Sequence, residues 1–232
     1  MKKIITAMIA AAFALSAVAE ENGFVSLFDG KTLKGWNGDP KFWSVQDGAI
    51  TGKNTKENPT KGNTFIIWEG GQTANFMLEM DFKIVGGNSG IQYRSFKLPG
   101  NNDGWRIGGY QADFESGERY SGILYGERFR GILSDRGFKT EWTTVDGKVQ
   151  KKREQFGDSK KIGQAIKKEQ WNSYRIVAEG FHFVHYINGV KTTHFVDGDT
   201  ANRRKDGLLA LQLHAGPPMT VQFKNIRIKH LK

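Results

Sequence analysis

Two carboxylates, a guanidinium and an imidazole stand out, because each follows an apolar alternation. Asp113 ends "GGYQAD", Glu127 lies in "LYGERFRG", Arg94 lies in "GGNSGIQYRSF", and His214 lies in "LQLHAGPP". These residue types cover the needs of a proton-transfer reaction. Asp113 is the candidate general base, Glu127 a candidate acid for a departing oxygen, and His214 a second proton carrier or a metal ligand. Arg94 is planar and permanently charged, so with Gln92 it is suited to an oxygen on which negative charge develops. Gln111 adds a second amide, and Trp105, Tyr110 and Tyr125 add rings on which a sugar can stack. Together they read as a polar floor for a carbohydrate. The competing reading is a solvated sheet face, with Glu127 paired to Arg128 or Arg130 and the aromatics in the core.

An ordinary glycosidase needs two carboxylates flanking the scissile bond. Glucanases of the β-1,3 kind carry them on a Glu-x-Asp-x-x-Glu strand. Glu79-Met80-Asp81 begins that pattern, but Phe82-Lys83-Ile84 follows and the third acid is missing. His182 and His185 are three apart and face opposite ways on an ideal strand. With His194 and His230 they form no recognisable ligand pair. The metal ligands are therefore unknown from sequence, and a carboxylate-bound divalent ion stays open.

The elements that must position these residues are mostly strands. There are 29 Gly, 16 Phe, 6 Tyr and 6 Trp. In "FMLEMDFKIV", Phe76, Leu78, Met80, Phe82 and Ile84 alternate with polar or flexible residues, as in a half-buried strand. Asp47-Gly48, Glu179-Gly180 and Asn188-Gly189 are hairpin turns. Near the C-terminus, Val221 and Phe223 fall out of step with Ile226 and Ile228, which predicts a β-bulge at Asn225. Only "SKKIGQAIKKEQ" has helical spacing, through Ile162, Ala165 and Ile166. The expected fold is all-β, an antiparallel jelly-roll sandwich with one short helical insertion.

At the N-terminus, Lys2 and Lys3 precede an apolar run to Ala19 that ends in Ala17-Val18-Ala19. This has the form of a secretory signal (1–19), leaving one domain over 20–232 and an exported, periplasmic or secreted protein. No later run is long and apolar enough to span a membrane, so no stable membrane insertion is expected. No cysteine is present, which excludes disulfides and thiolate metal sites. The formal charge is +10, much of it in Gly147–Gln170. That run holds one aromatic, Phe156, and reads as a solvated lysine-rich helical insertion rather than a nucleic-acid footprint.

Several stretches share a likeness. "FVSLFDGKTLKGWNG" and "FWSVQDGAITG", then "GGNSGIQYRS", "WRIGGYQADF" and "YSGILYGERFRGIL", then "EQWNSYRIVAEGFHFVHYINGVKTTHFVD" and "GLLALQLHAGPPMTVQFKNIRIK" together resemble the 3-keto-disaccharide hydrolase domain family. The resemblance implies a concanavalin A-like sandwich and an exported bacterial enzyme that cleaves glycosides oxidised to a ketone at C3. Many members carry Tyr-Glu-x-Gln where this chain has Tyr110-Gln111-Ala112-Asp113, so the carboxylate moves two residues along the strand and keeps its face. A C3 ketone acidifies the C2 proton. A base can remove it, the aglycone leaves C1 by β-elimination, and water can add afterwards. The alternative is a non-catalytic, lectin-like carbohydrate-binding module on the same fold. Convergence of Asp113, Arg94 and His214 on one pocket is the discriminating observation.

Overall fold

The computed structural model describes residues 22–99 and 104–232. The candidate signal segment lies outside the described residues. The chain begins with β1 (Val25–Ser26), β2 (Trp36–Asn37), β3 (Trp43–Gln46), β4 (Ala49–Asn54) and β5 (Thr64–Trp68). The long strands β6 (Phe76–Val85), β7 (Asn88–Lys97) and β8 (Ile107–Glu115) follow, then β9 (Leu124–Glu127) and β10 (Gly131–Ser134). A hairpin of β11 (Phe138–Val145) and β12 (Lys148–Gln155) leads to α1 (Ser159–Gly163). The chain ends with β13 (Asn172–Glu179), β14 (His182–Ile187), β15 (Val190–Gly198), β16 (Leu208–Leu213) and β17 (Met219–His230).

Among the described residues these strands form two sheets. One runs β12-β11-β15-β14-β13-β6-β17-β4-β3, with β1 alongside β17; the other runs β10-β9-β8-β7-β16-β5-β2. The sandwich core lies between them. Phe76, Leu78, Met80, Phe82 and Ile84 are all buried on the inner face of β6, as the alternation requires. From the second sheet, Ile91, Tyr93, Tyr110, Ala112 and Phe114 meet them. The rings of Phe82 and Phe114 are 4.1 Å apart.

The expected bulge in β17 is present. Asn225 has φ +53°, and the pairing with β6 slips between Lys224 and Arg227, which returns Ile226 and Ile228 to the core. At Asp47-Gly48 and Asn188-Gly189 both residues take positive φ, as a tight hairpin turn requires.

Two expectations need correction. The sandwich is not wholly antiparallel, because β11 lies parallel to β15. The Gly147–Gln170 run is helical only at Ser159–Gly163, inside the stretch where the one short helix was expected, and not over its first half. Its first half is β12, an edge strand exposed along its whole length and paired with β11 through a turn at Asp146-Gly147. Lys148, Lys151, Lys152 and Arg153 on such an edge discourage pairing with another chain. The helix proper is five residues, started by Asp158, whose side chain accepts from the Lys161 N–H. Beyond it the sandwich takes over the backbone bonds. Asn188 Nδ2 donates to the Ala165 carbonyl, and Asn172 bonds both N–H and C=O of Lys167.

Candidate active site

The candidate site lies on the outer face of the seven-stranded sheet. Strand alternation puts it there: Tyr110, Ala112 and Phe114 of β8 point into the core, so Gln111, Asp113 and Glu115 point the other way. In β9, Tyr125 pairs with Gln111 and Glu127 with Gly109, so both side chains share the Asp113 face. His214 follows β16. These residues line one cleft of about 790 Å³, closed at its sides by Asn63, Asn88, Tyr120 and Arg128. Asp113, Glu127, His214, Tyr125 and Gln111 are thus brought together.

Asp113 is 5% exposed, although it faces the cleft. Its Oδ1 accepts from Asn88 Nδ2 at 2.7 Å and its Oδ2 from Gln111 Nε2 at 2.8 Å. Burial pushes its pKa up to about 8 against the pull of those two hydrogen bonds, and the carboxylates of Glu115 and Glu127 add to the rise. Glu127 accepts from Asn63 Nδ2 at 3.1 Å, while Asn63 Oδ1 accepts from the Ala215 N–H at 2.9 Å. Asn63 therefore links Glu127 to the turn that carries His214. The His214 Nδ1 donates to the Ala215 carbonyl at 2.5 Å, which leaves Nε2 as the ring's other nitrogen. Burial and the neighbouring Glu127 raise the Tyr125 phenol, so that ring stays neutral.

Arg94 is not part of this cleft, which corrects its expected role. On a regular strand it would share the face of Gln92. Instead it takes φ +45°, and the β7–β8 pairing slips between Tyr93 and Phe96. The bulge turns the side chain away into the structure, where it is fully buried. Its guanidinium donates to the carbonyls of Ala74 (2.6 and 2.9 Å), Gly180 (2.7 Å) and Arg204 (3.1 Å). It ties three loops together.

Tyr110 is also misplaced by the sugar-stacking expectation. It is fully buried, its ring 4.7 Å from that of Phe183, and its hydroxyl donates to Asp197 at 2.5 Å. The signal was available, since Tyr110 and Asp113 are three apart on one strand. Trp105 lies off the cleft, with its indole N–H on Asn37 Oδ1 at 2.8 Å. Gln92 is fully buried beside Gln111, its cross-strand partner, and does not line the cleft. Arg130 lines the cleft but is engaged by Asp197 (2.5 Å) and Asp199 (3.1 Å).

Asn88, Gln212, Asn63 and Arg128 were missed. Asn88 and Gln212 are one alternation step from Gly90 and His214, so strand phase would have found them. Asn63 comes from a distant loop and leaves no local signal. Arg128 was visible only as a partner for Glu127; it is exposed at the cleft rim in a left-handed conformation, φ +47°. Among the described residues, no three His, Asp or Glu side chains come together as a metal-holding cluster. No helix among them is long and apolar enough to cross a membrane.

Residues 23–229 match the model of the 3-keto-alpha-glucoside-1,2-lyase-like domain. A 3-keto-disaccharide hydrolase of Bacteroides thetaiotaomicron is 36% identical over 91 residues, which is 34% of this chain and 30% of that protein. A candidate glycosyl hydrolase of Parabacteroides distasonis superposes with a TM-score of 0.56 at 20% identity, covering 90% of this chain and 99% of the other. A carbohydrate binding module from Bacillus subtilis superposes with a TM-score of 0.50 at 14% identity, over 84% and 95%. The two structural likenesses speak for the jelly-roll sandwich alone.

Proposed function

This chain belongs to the 3-keto-alpha-glucoside-1,2-lyase-like domain family, and on that premise we propose that its cleft cleaves 3-keto-glycosides by β-elimination. Asp113 removes the proton from C2, which the neighbouring ketone acidifies. The electron pair moves toward the C3 oxygen as an enolate, then returns to expel the aglycone from C1. Glu127 delivers a proton to the departing oxygen, and His214 serves as the second proton carrier when water adds to the resulting glucal. With Arg94 committed to backbone carbonyls, Arg128 is the cation at the rim that faces the developing enolate. Tyr125 offers a ring to the sugar. Of the three side chains whose convergence discriminates the readings, Asp113 and His214 share one cleft and Arg94 does not; the reading is carried by that pair together with Glu127, with Asp113 buried enough to be a strong base.

A binding module can also bury a carboxylate to accept sugar hydroxyls, so it is the family match that favours the enzymatic reading over the binding module. The test compares a 3-keto-glucoside with its parent glucoside. Only the ketone should release aglycone, and in heavy water the rehydrated product should carry deuterium at C2 beyond the slow exchange of free keto-sugar. Equal turnover of the parent glucoside would sink the proposal.

We further propose export, from the Lys2-Lys3 start, the apolar run and Ala17-Val18-Ala19. Mass spectrometry of the protein from its native cell envelope should find Glu20 at the N-terminus. An intact Met1 on cytoplasmic protein would contradict it.

A further inference from the structure

Extending from the cleft floor at Gln111 is a set of buried glutamines to which the proposed chemistry gives no role. Gln92 of β7, Gln111 of β8 and Gln212 of β16 come from three neighbouring strands, and each is no more than 1% exposed. Their amides are bonded in one direction. Gln111 Oε1 accepts from Gln92 Nε2 at 2.5 Å and from Gln212 Nε2 at 2.9 Å. Both lone pairs of that oxygen are then used, and Gln111 Nε2 is left to face Asp113 Oδ2. Upstream, the Ser95 hydroxyl donates to Gln92 Oε1 at 2.9 Å.

Two further observations show that the arrangement is built for Asp113. Gly90 is the cross-strand partner of Asp113, and a Cβ there would lie 2.4 Å from Gln111 Cγ and 2.8 Å from its Nε2. The Gln111 side chain crosses the bare backbone of β7 to reach the carboxylate, and only glycine leaves that path open. The Gln212 Oε1 is buried and accepts no hydrogen bond from any of the described residues. An orphaned buried acceptor is costly, and it is tolerated here because turning the amide would set an oxygen against the Gln111 oxygen.

We infer that Gln92 and Gln212 are positioning residues, which hold the Gln111 amide with its nitrogen on Asp113 and so set the acidity of that carboxyl. This rests on the reading of Asp113 as the base only for its kinetic consequence. A reversed Gln111 would place an oxygen against the carboxylate and two donors against two donors. The hydrogen bond from Gln111 favours the ionised form, and its loss leaves burial less opposed. The other titratable groups lining the cleft with Asp113 are Glu115 on the same strand, Tyr125, Glu127, Arg128 and Arg130 from β9 and the turn after it, Tyr120 from the preceding loop, and His214 after β16. Tyr174 lies below from the other sheet, and β7 supplies only the neutral Asn88. None of these is altered by changing Gln92 or Gln212.

The test titrates Asp113 directly, by carbon NMR of its side-chain carboxyl, in the wild type and in Gln92→Met and Gln212→Met, which conserve volume. The midpoint should rise by about one pH unit in both Met variants. A rise of about one unit leaves about a tenth as much base below the midpoint, so kcat/KM at neutral pH should fall about tenfold and recover at high pH. An unchanged Asp113 midpoint in both Met variants would overturn the inference. A shifted midpoint without a shifted pH–rate profile would uphold it and reject Asp113 as the base instead.

Discussion

Asp113→Asn should lower kcat for a 3-keto-glucoside by about 10²–10⁴, the usual cost of losing a general base. The substitution keeps the shape of the side chain and removes its basicity. In the unaltered enzyme the base form is the carboxylate, so kcat/KM should climb as the pH rises toward about 8 and level off above it. The same raised pKa has a consequence for stability with the opposite sign. Between 3.8 and about 8 the folded state holds a proton that the unfolded state has lost. Stability therefore falls across that window as the pH rises, and Asp113→Asn should remove that part of the slope of Tm against pH. Full activity in Asp113→Asn would reject the mechanism. A pH–rate profile without a rise toward pH 8 would reject Asp113 as its base.

Arg94→Met should cost about 3 kcal/mol or more, because it leaves the carbonyls of Ala74, Gly180 and Arg204 without their buried donor. For a domain of this size that corresponds to a fall in Tm of about 6–12 °C. Arg94→Lys should also destabilise, since an ammonium cannot reach three loops from one planar fork. The folded fraction of Arg94→Lys should retain nearly normal kcat, because the side chain does not line the cleft. Thermal melts paired with active-site-normalised rates separate the two effects. An unchanged Tm with lost activity would return Arg94 to the chemistry.

The two arginine and glutamine outcomes differ for one physical reason. "GGNSGIQYRSF" alternates cleanly through Gln92, and Gln92 does lie on the Asp113 side of the sheet. One residue in left-handed conformation then breaks the phase, and Arg94 leaves that side. A glycine at such a position would have been a warning; an arginine is not, because surrounding hydrogen bonds and not its own preference hold it at positive φ. The β12 ribbon is a second case. Its lysines carry no alternation to read, since both of its faces are exposed, and the Asp146-Gly147 turn was the one local sign of a hairpin.

By itself the sequence determined the sheet-forming alternation of Phe76–Ile84, the turns at Asp47-Gly48 and Asn188-Gly189, the bulge at Asn225 and the shared face of Gln111 and Asp113. Each of these follows from side chains within a few residues, where strand period and backbone preference act directly. Only the tertiary structure decided that Asn63 reaches Glu127 from a distant loop, that Arg94 serves three loops, and that Asp113 is buried enough for its proton to be held up to about pH 8. Those outcomes depend on which strands become neighbours and how deeply their outer face is covered. Desolvation and hydrogen bonding across distant segments set them, and neither is written in the spacing of a single strand.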